Sequence, residues 1–183
     1  DLWLTMNQEV ISAIRDEAGA NNIIVVDGIS WGQDAGDASP ELVRDENSAL
    51  LQWTDELLSF SGKSYENIVF SFHVWDQWNY GAERMGDYID RVIAQGVALI
   101  VGEYGIQNGD VDTTAAVDAM LAAAPSRRIG RIAWAWDGGD ENDLTTGTTQ
   151  GGGWEIDDCA QPTNLSRFGQ QIWDDRPHII VVD

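Results

Sequence analysis

Four short stretches of the chain are predominantly apolar without polar alternation: Ile23–Val26, Ile68–Phe70, Ala98–Val101 and Ile129–Trp136. Unbroken apolar runs of this length predict strands buried on both faces of a parallel sheet. Helical periodicity fills the gaps. Trp3, Met6, Val10, Ile14 and Ala18 share one face of a first helix ending at Gly19. A less regular helix over 47–60 carries Leu50, Leu51, Trp53, Leu57 and Leu58, and a clean stripe of Met85, Tyr88, Ile89, Val92 and Ile93 ends near Gly96. Asp112 is placed to cap a helix bearing Ala116, Val117, Met120, Leu121 and Ala124, with Pro125 behind it. Leu165, Phe168 and Ile172 mark a last helix, stopped before Pro177. The resulting α-β-α-β-α-β-α-β-α order implies an α/β fold with parallel strands. Residues 137–153 are too rich in Gly, Thr and Asp for an element and read as a loop.

The informative residues follow the apolar runs. The first leads into Asp27-Gly28-Ile29-Ser30-Trp31-Gly32-Gln33-Asp34 and the second into Ser71-Phe72-His73-Val74-Trp75-Asp76-Gln77-Trp78. The third ends in Gly102-Glu103-Tyr104-Gly105 and the fourth in Trp134-Ala135-Trp136-Asp137. Ligands bind at the C-terminal strand edge of parallel α/β folds, so four polar or aromatic strand ends outweigh ordinary strand-end polarity. Glu103, a carboxylate straight after Leu-Ile-Val and between two glycines, is either an ion-paired structural residue or a working nucleophile or base. His73 and Trp75 fall on one face of an extended strand. Indole faces beside carboxylates and amides suit carbohydrate, whose C–H faces stack while its hydroxyls hydrogen-bond.

These residues resemble glycoside hydrolase family 5, the cellulase and β-mannanase family of (β/α)8 TIM barrels. The likeness is carried by Asp27, Trp31, Gly32, Gln33 and Asp34; by Ser71, His73 and Trp75; by Gly102, Glu103, Tyr104 and Gly105; and by Trp134 and Trp136. It covers roughly residues 3–175, and it implies that residues 1–183 are strands 5–8, the C-terminal half of a catalytic barrel. It also implies a retaining endo-β-1,4-glycanase, cellulase or β-mannanase, acting through a glycosyl-enzyme intermediate. Glu103 is then the nucleophile, with His73 in the catalytic site. Trp136 floors the subsite of the sugar to be cleaved, while Trp31, Trp75, Trp134 and Asp34 bind substrate. No cofactor is implied.

The sequence departs from the family pattern in two places. Trp75 stands where the family usually has Tyr, and an indole offers only an N–H donor. The family's acid/base lies in an Asn-Glu pair on the fourth strand, and no Asn-Glu pair occurs here. A complete barrel takes about 250 residues. An N-terminal half-barrel segment or a second copy is therefore the expected protein partner, beside a β-1,4-linked polysaccharide or oligosaccharide. A half-barrel that only binds carbohydrate is the alternative. A doubly wound α/β protein with a structural Glu103 is a weaker one, because no Gly-rich phosphate loop follows any strand.

Composition modifies this picture mainly through charge. The chain of 183 residues has a formal net charge of −21, and Asp outnumbers Glu 21 to 10 while Lys63 is the single lysine. So acidic a surface excludes nucleic acid and anionic membranes as expected partners. Many aspartates with almost no lysine suit concentrated salt, where the Debye length is about 3 Å and self-repulsion is screened. The resulting expectation is a secreted protein of a high-salt environment. One cysteine, Cys159, excludes an internal disulfide and is expected to be at least partly buried. Asn108-Gly-Asp110-Val-Asp112 and Asp137 to Asp143 gather oxygen ligands as Ca²⁺ prefers, though solvated loops explain them more simply in a chain with 31 carboxylates.

Overall fold

A computed structural model describes residues 1–136, 141–146 and 156–175. Helix α1 (Leu2–Ser12) continues through a π-helical turn, Ala13–Glu17, and is followed by β1 (Ile24–Asp27) and α2 (Ala49–Leu58). Next come a small hairpin of β2 (Ser59–Phe60) and β3 (Lys63–Ser64), then β4 (Ile68–Val74), α3 (Ala82–Ile93) and β5 (Ala98–Tyr104). A second small hairpin, β6 (Gln107–Asn108) and β7 (Val111–Asp112), precedes α4 (Thr114–Ala123), β8 (Gly130–Ala133) and α5 (Arg167–Asp175). The four main strands form one all-parallel sheet in the order β1-β4-β5-β8, sequential neighbours throughout. That is the connectivity half of a (β/α)8 barrel requires.

One face of the sheet is packed. Ile24, Val26, Phe70, Phe72, Val74, Leu99, Val101 and Tyr104 meet Leu50, Leu57, Met85, Tyr88, Ile89, Val117 and Met120 from the helices. Phe72, Trp78 and Tyr88 stack edge to face at centroid spacings of 4.9–5.4 Å, and Tyr104 meets Phe168 of α5 at 5.8 Å. The opposite face corrects the expectation of burial on both sides. Val25 is 52% exposed and Ile132 57%, because among the described residues helices cover only one face. The sequence of these strands suits a second apolar layer that the described residues do not lay against them.

The periodicity misjudged α1 as well. Met6 and Val10 are exposed, whereas Trp3, Leu4, Ile11 and Ile14 face the core, so the packed stripe is rotated from the expected one. Leu2, Met6 and Val10 make a separate apolar line on the outer side of the helix. One cap differs from the expected one. Ser48 caps α2 by accepting from Leu51 N, and Thr113 rather than Asp112 is the N-cap of α4, with Asp112 Oδ1 accepting from Thr114 N at 2.8 Å. The fourth apolar run is a strand only over Gly130–Ala133, and Cys159 is exposed rather than buried. Most of the 137–153 loop, and Pro177, lie outside the described residues.

A bulge in the sheet decides where the chemistry lies. Phe72 pairs with Val101, but the next residue, His73, pairs with Glu103, so Gly102 is an extra residue in β5. Strict alternation from Val101 would point Glu103 at the helices. The extra residue turns it to the open face, opposite His73, and returns Tyr104 to the core. Gly102 is required there, since a Cβ would lie 2.1 Å from Ser71 Oγ.

Candidate active site

At the C-terminal edge of the sheet, a cleft of about 530 Å³ is lined by Trp31, Gln33, Trp75, Asp76, Gln77, Glu103, Gln107, Asn108, Gly109, Trp134 and Asn142. Glu103 is half-buried within it. Its Oε1 accepts a hydrogen bond from Trp75 Nε1 at 2.9 Å and lies 3.7 Å from His73 Nδ1. His73 Nε2 is 3.2 Å from Asp27 Oδ1. Burial pushes the imidazole down, but the Asp27 hydrogen bond, the charges of Asp27 and Glu103 and the Trp31 carbonyl outweigh it, so its pKa is raised. Asp27 is held below the usual carboxylate range, chiefly by that hydrogen bond and against partial burial.

The loop after β1 presents Trp31. Ser30, Trp31 and Gly32 take consecutive positive φ angles, and the indole stands 89% exposed at the rim of the cleft. The Gly32 carbonyl accepts from His73 N at 2.8 Å, and the Gly32 α-carbon rests on the imidazole: a Cβ would lie 2.5 Å from Nδ1. Gln33 ties this loop to the next one. Its Oε1 accepts from Gln77 N, its carbonyl from Trp78 Nε1, and its amide reaches Asp76. Asn142 clamps the loop after β5, accepting from Ile106 N at 2.7 Å and Gln107 N at 3.1 Å and donating to the Gln107 carbonyl.

The structure therefore brings together Glu103, His73, Trp31, Trp75 and Trp134. It does not bring in Asp34. That carboxylate is fully buried behind the loop, where Oδ1 accepts from Ile29 N and Ala49 N and Oδ2 from Ser48 Oγ, Leu50 N and Tyr88 Oη. Asp34 anchors the Trp31 loop to the start of α2 and has no oxygen left for a ligand. Trp136 is 46% exposed but is not among the residues lining the cleft, where Trp134 stands instead.

The cleft also holds Asp76, Gln77, Gln107, Asn108 and Asn142, none of them among the expected catalytic or substrate-binding residues. Asp76 and Gln77 directly follow Trp75, which is a usable signal; the β6–β7 hairpin that presents Gln107 and Asn108 leaves no periodic trace in two-residue strands. The suggested cation loops are otherwise engaged. Asn108 donates to Asp76 Oδ1, Asp112 Oδ1 accepts from Thr114 N and Asn142 clamps its loop, while Asp137 and Asp140 lie outside the described residues. Among the described residues no group of three His, Cys, Asp or Glu side chains is arranged to hold a metal ion.

Comparison with known proteins places this geometry in context. A family model described as cellulase (glycosyl hydrolase family 5) matches residues 1–140. A mannan endo-1,4-beta-mannosidase of Streptomyces lividans is 27% identical over 178 residues, covering 93% of this chain and 38% of that protein. Another, from Salipaludibacillus agaradhaerens, is 30% identical over 138 residues, covering 74% of this chain and 39% of that protein. Among solved structures, the mannotriose complex of Thermomonospora fusca beta-mannanase superposes with a TM-score of 0.65 at 25% identity, over 93% of this chain and 48% of that one. The chain thus spans less than half the length of these relatives.

Proposed function

The chain belongs to glycosyl hydrolase family 5, and we propose that residues 1–183 are the C-terminal half of the catalytic barrel of a retaining endo-β-1,4-mannanase. The observation that carries this is Glu103 at the floor of an indole-lined cleft, held by an N–H donor from Trp75 and faced by His73. Mannan is favoured over cellulose because both curated relatives described above are named as mannan endo-1,4-beta-mannosidases.

In this reading the Glu103 carboxylate attacks the anomeric carbon, forming a glycosyl ester as the leaving sugar oxygen takes a proton from an acid/base carboxyl. Water then cleaves the ester, with that same carboxyl, now ionised, acting as base. The two carboxyls of a retaining pair stand about 5–5.5 Å apart. The chain has no Asn-Glu pair to supply the second one, so an N-terminal half-barrel brings it. That half also covers the open sheet face, pairs the edges at β1 and β8, and packs on the Leu2-Met6-Val10 line of α1. Trp134, rather than Trp136, is the platform beneath the sugar to be cleaved, and Trp31 stacks a neighbouring sugar.

The test is reconstitution. The chain assembled with an N-terminal half bearing the Asn-Glu strand should hydrolyse soluble β-1,4-mannan, and Glu103→Gln should lower turnover by at least ~10³-fold. Wild-type turnover from the Gln variant would remove Glu103 from the nucleophile role. Robust hydrolysis by the isolated chain would defeat the two-half reading. Retained mannan binding without turnover in the reconstituted pair would favour the binding-only alternative.

A further inference from the structure

We propose that Asp27, at the end of β1, is a positioning residue of this site: through its hydrogen bond to His73 it fixes the imidazole, protonated on both nitrogens, against the Glu103 carboxylate. The proposal rests on Glu103 being the nucleophile. It concerns a residue that never touches substrate in the reading above and acts only through His73.

The three side chains run in a row across the open face, one from each of three adjacent strands. Asp27 pairs with Ser71 in the sheet register, one pleat below His73, and His73 pairs with Glu103 across the bulge. The ring bridges them, with Nε2 3.2 Å from Asp27 Oδ1 and Nδ1 3.7 Å from Glu103 Oε1. The first is a hydrogen bond; the second is too long for one and is a contact of charges. A neutral ring that donates from Nε2 would turn its Nδ1 lone pair toward a carboxylate. Only the doubly protonated ring presents N–H to both neighbours.

The ring cannot easily swing away. Gly32 closes off its Nδ1 side, and His73 N is tied to the Gly32 carbonyl. The groups acting on the ring are Asp27 from β1, Glu103 from β5 and the Trp31 carbonyl from the intervening loop. Their combined effect raises its pKa despite burial, in keeping with the geometry. The Asp27 backbone is used separately, its carbonyl accepting from Trp3 Nε1 at 2.8 Å, so changing its half-exposed side chain leaves that tie in place.

The experiment is an NMR titration of the imidazole C–H signals of the whole chain, which has two histidines, His73 and His178. His178→Gln assigns them. His73 in the wild type should titrate above the ordinary value of 6.5. Asp27→Asn keeps an acceptor but removes the charge, and should lower the titration midpoint by about one pH unit, a tenfold loss of proton affinity. Asp27→Glu should restore most of it. In the reconstituted enzyme, Asp27→Asn should move the alkaline limb of kcat/KM to lower pH with KM unchanged within about twofold. A His73 midpoint unmoved by Asp27→Asn overturns the proposal, as does a fall in kcat with the pH limb in place. The titration needs no activity, so it stands or falls independently of the Glu103→Gln result that tests the nucleophile.

Discussion

Asp34 provides the sharpest separation between a ligand-binding and a structural carboxylate. Its two oxygens receive five donors: Ile29 N at 3.1 Å and Ala49 N at 2.9 Å on Oδ1, and Leu50 N at 3.2 Å, Tyr88 Oη at 2.8 Å and Ser48 Oγ on Oδ2. In Asp34→Asn the new NH₂ must face one of these sets. Placed at Oδ1 it opposes two amide N–H groups, which cannot reverse. Placed at Oδ2 it opposes two hydroxyls, which can turn to accept, and the Leu50 N–H, which cannot. The second arrangement leaves one donor-to-donor clash in a buried site, worth about 2 kcal/mol. For a chain of this size that corresponds to a fall in Tm of roughly 4–8 °C. Asp34→Ala strands three backbone N–H groups at the loop and the α2 terminus and should cost roughly 4–5 kcal/mol. Thermal unfolding of the chain by circular dichroism measures both. If Asp34→Asn melts with the wild type, or if its only effect is weaker carbohydrate binding at unchanged Tm, the structural assignment is refuted.

Four further outcomes follow from the geometry. Trp75→Phe removes the N–H that Glu103 Oε1 accepts; a hydrogen bond to a charged group is worth about 1.5–3 kcal/mol, so kcat of the reconstituted enzyme should fall by ~10- to 100-fold, and an unchanged kcat would deny the indole any role. Gly32→Ala places a methyl on the His73 ring at a backbone φ of +81°, and should shift the His73 NMR signals and lower Tm by several degrees; native signals would show the loop yields freely. Asp27 and Asp90 have lowered folded pKa values, so their stabilisation is present above the unfolded carboxylate range and lost as pH falls through the folded values, whereas His73, raised, stabilises below 6.5 and loses its share as pH rises through its folded value. Tm should therefore peak between these windows, and a Tm still rising below pH 4 would contradict the carboxylate part. With a net charge of −21, Tm should climb as NaCl is raised toward the molar range, and a flat or falling Tm would remove the case for salt adaptation.

The strand order was legible because each main strand has its own apolar run and each α-helix its own stripe or cap. The row of strand-end residues was legible too, since Glu103, His73 and Trp31 adjoin those runs directly. What failed has a common cause: the packed face of an element depends on what lies beside it. Met6 and Val10 look like core by spacing, yet α1 is turned so that Ile11 is the buried residue. Asp34 looks like a cleft residue by its neighbours, yet the positive φ angles at Ser30 to Gly32 and at Asp34 itself reverse the chain and send the carboxylate inward. Asn142 clamps a loop 36 positions earlier in the chain, a relation no local pattern records.

The extra glycine in β5 also has an arithmetic consequence. Side chains along a strand alternate like odd and even numbers, and Gly102 is the one position at which the count changes class. Deleting it would leave Val101, Glu103 and Tyr104 in plain alternation at their present stations, whereas inserting one residue between it and Glu103 would exchange the stations of Glu103 and Tyr104, burying a carboxylate near Phe168 and the helices while pushing a phenol into the cleft. Adding a single residue without altering any functional group would thus abolish the site, whereas adding two would preserve it. In β5, parity is as much a part of the active site as the glutamate it aims.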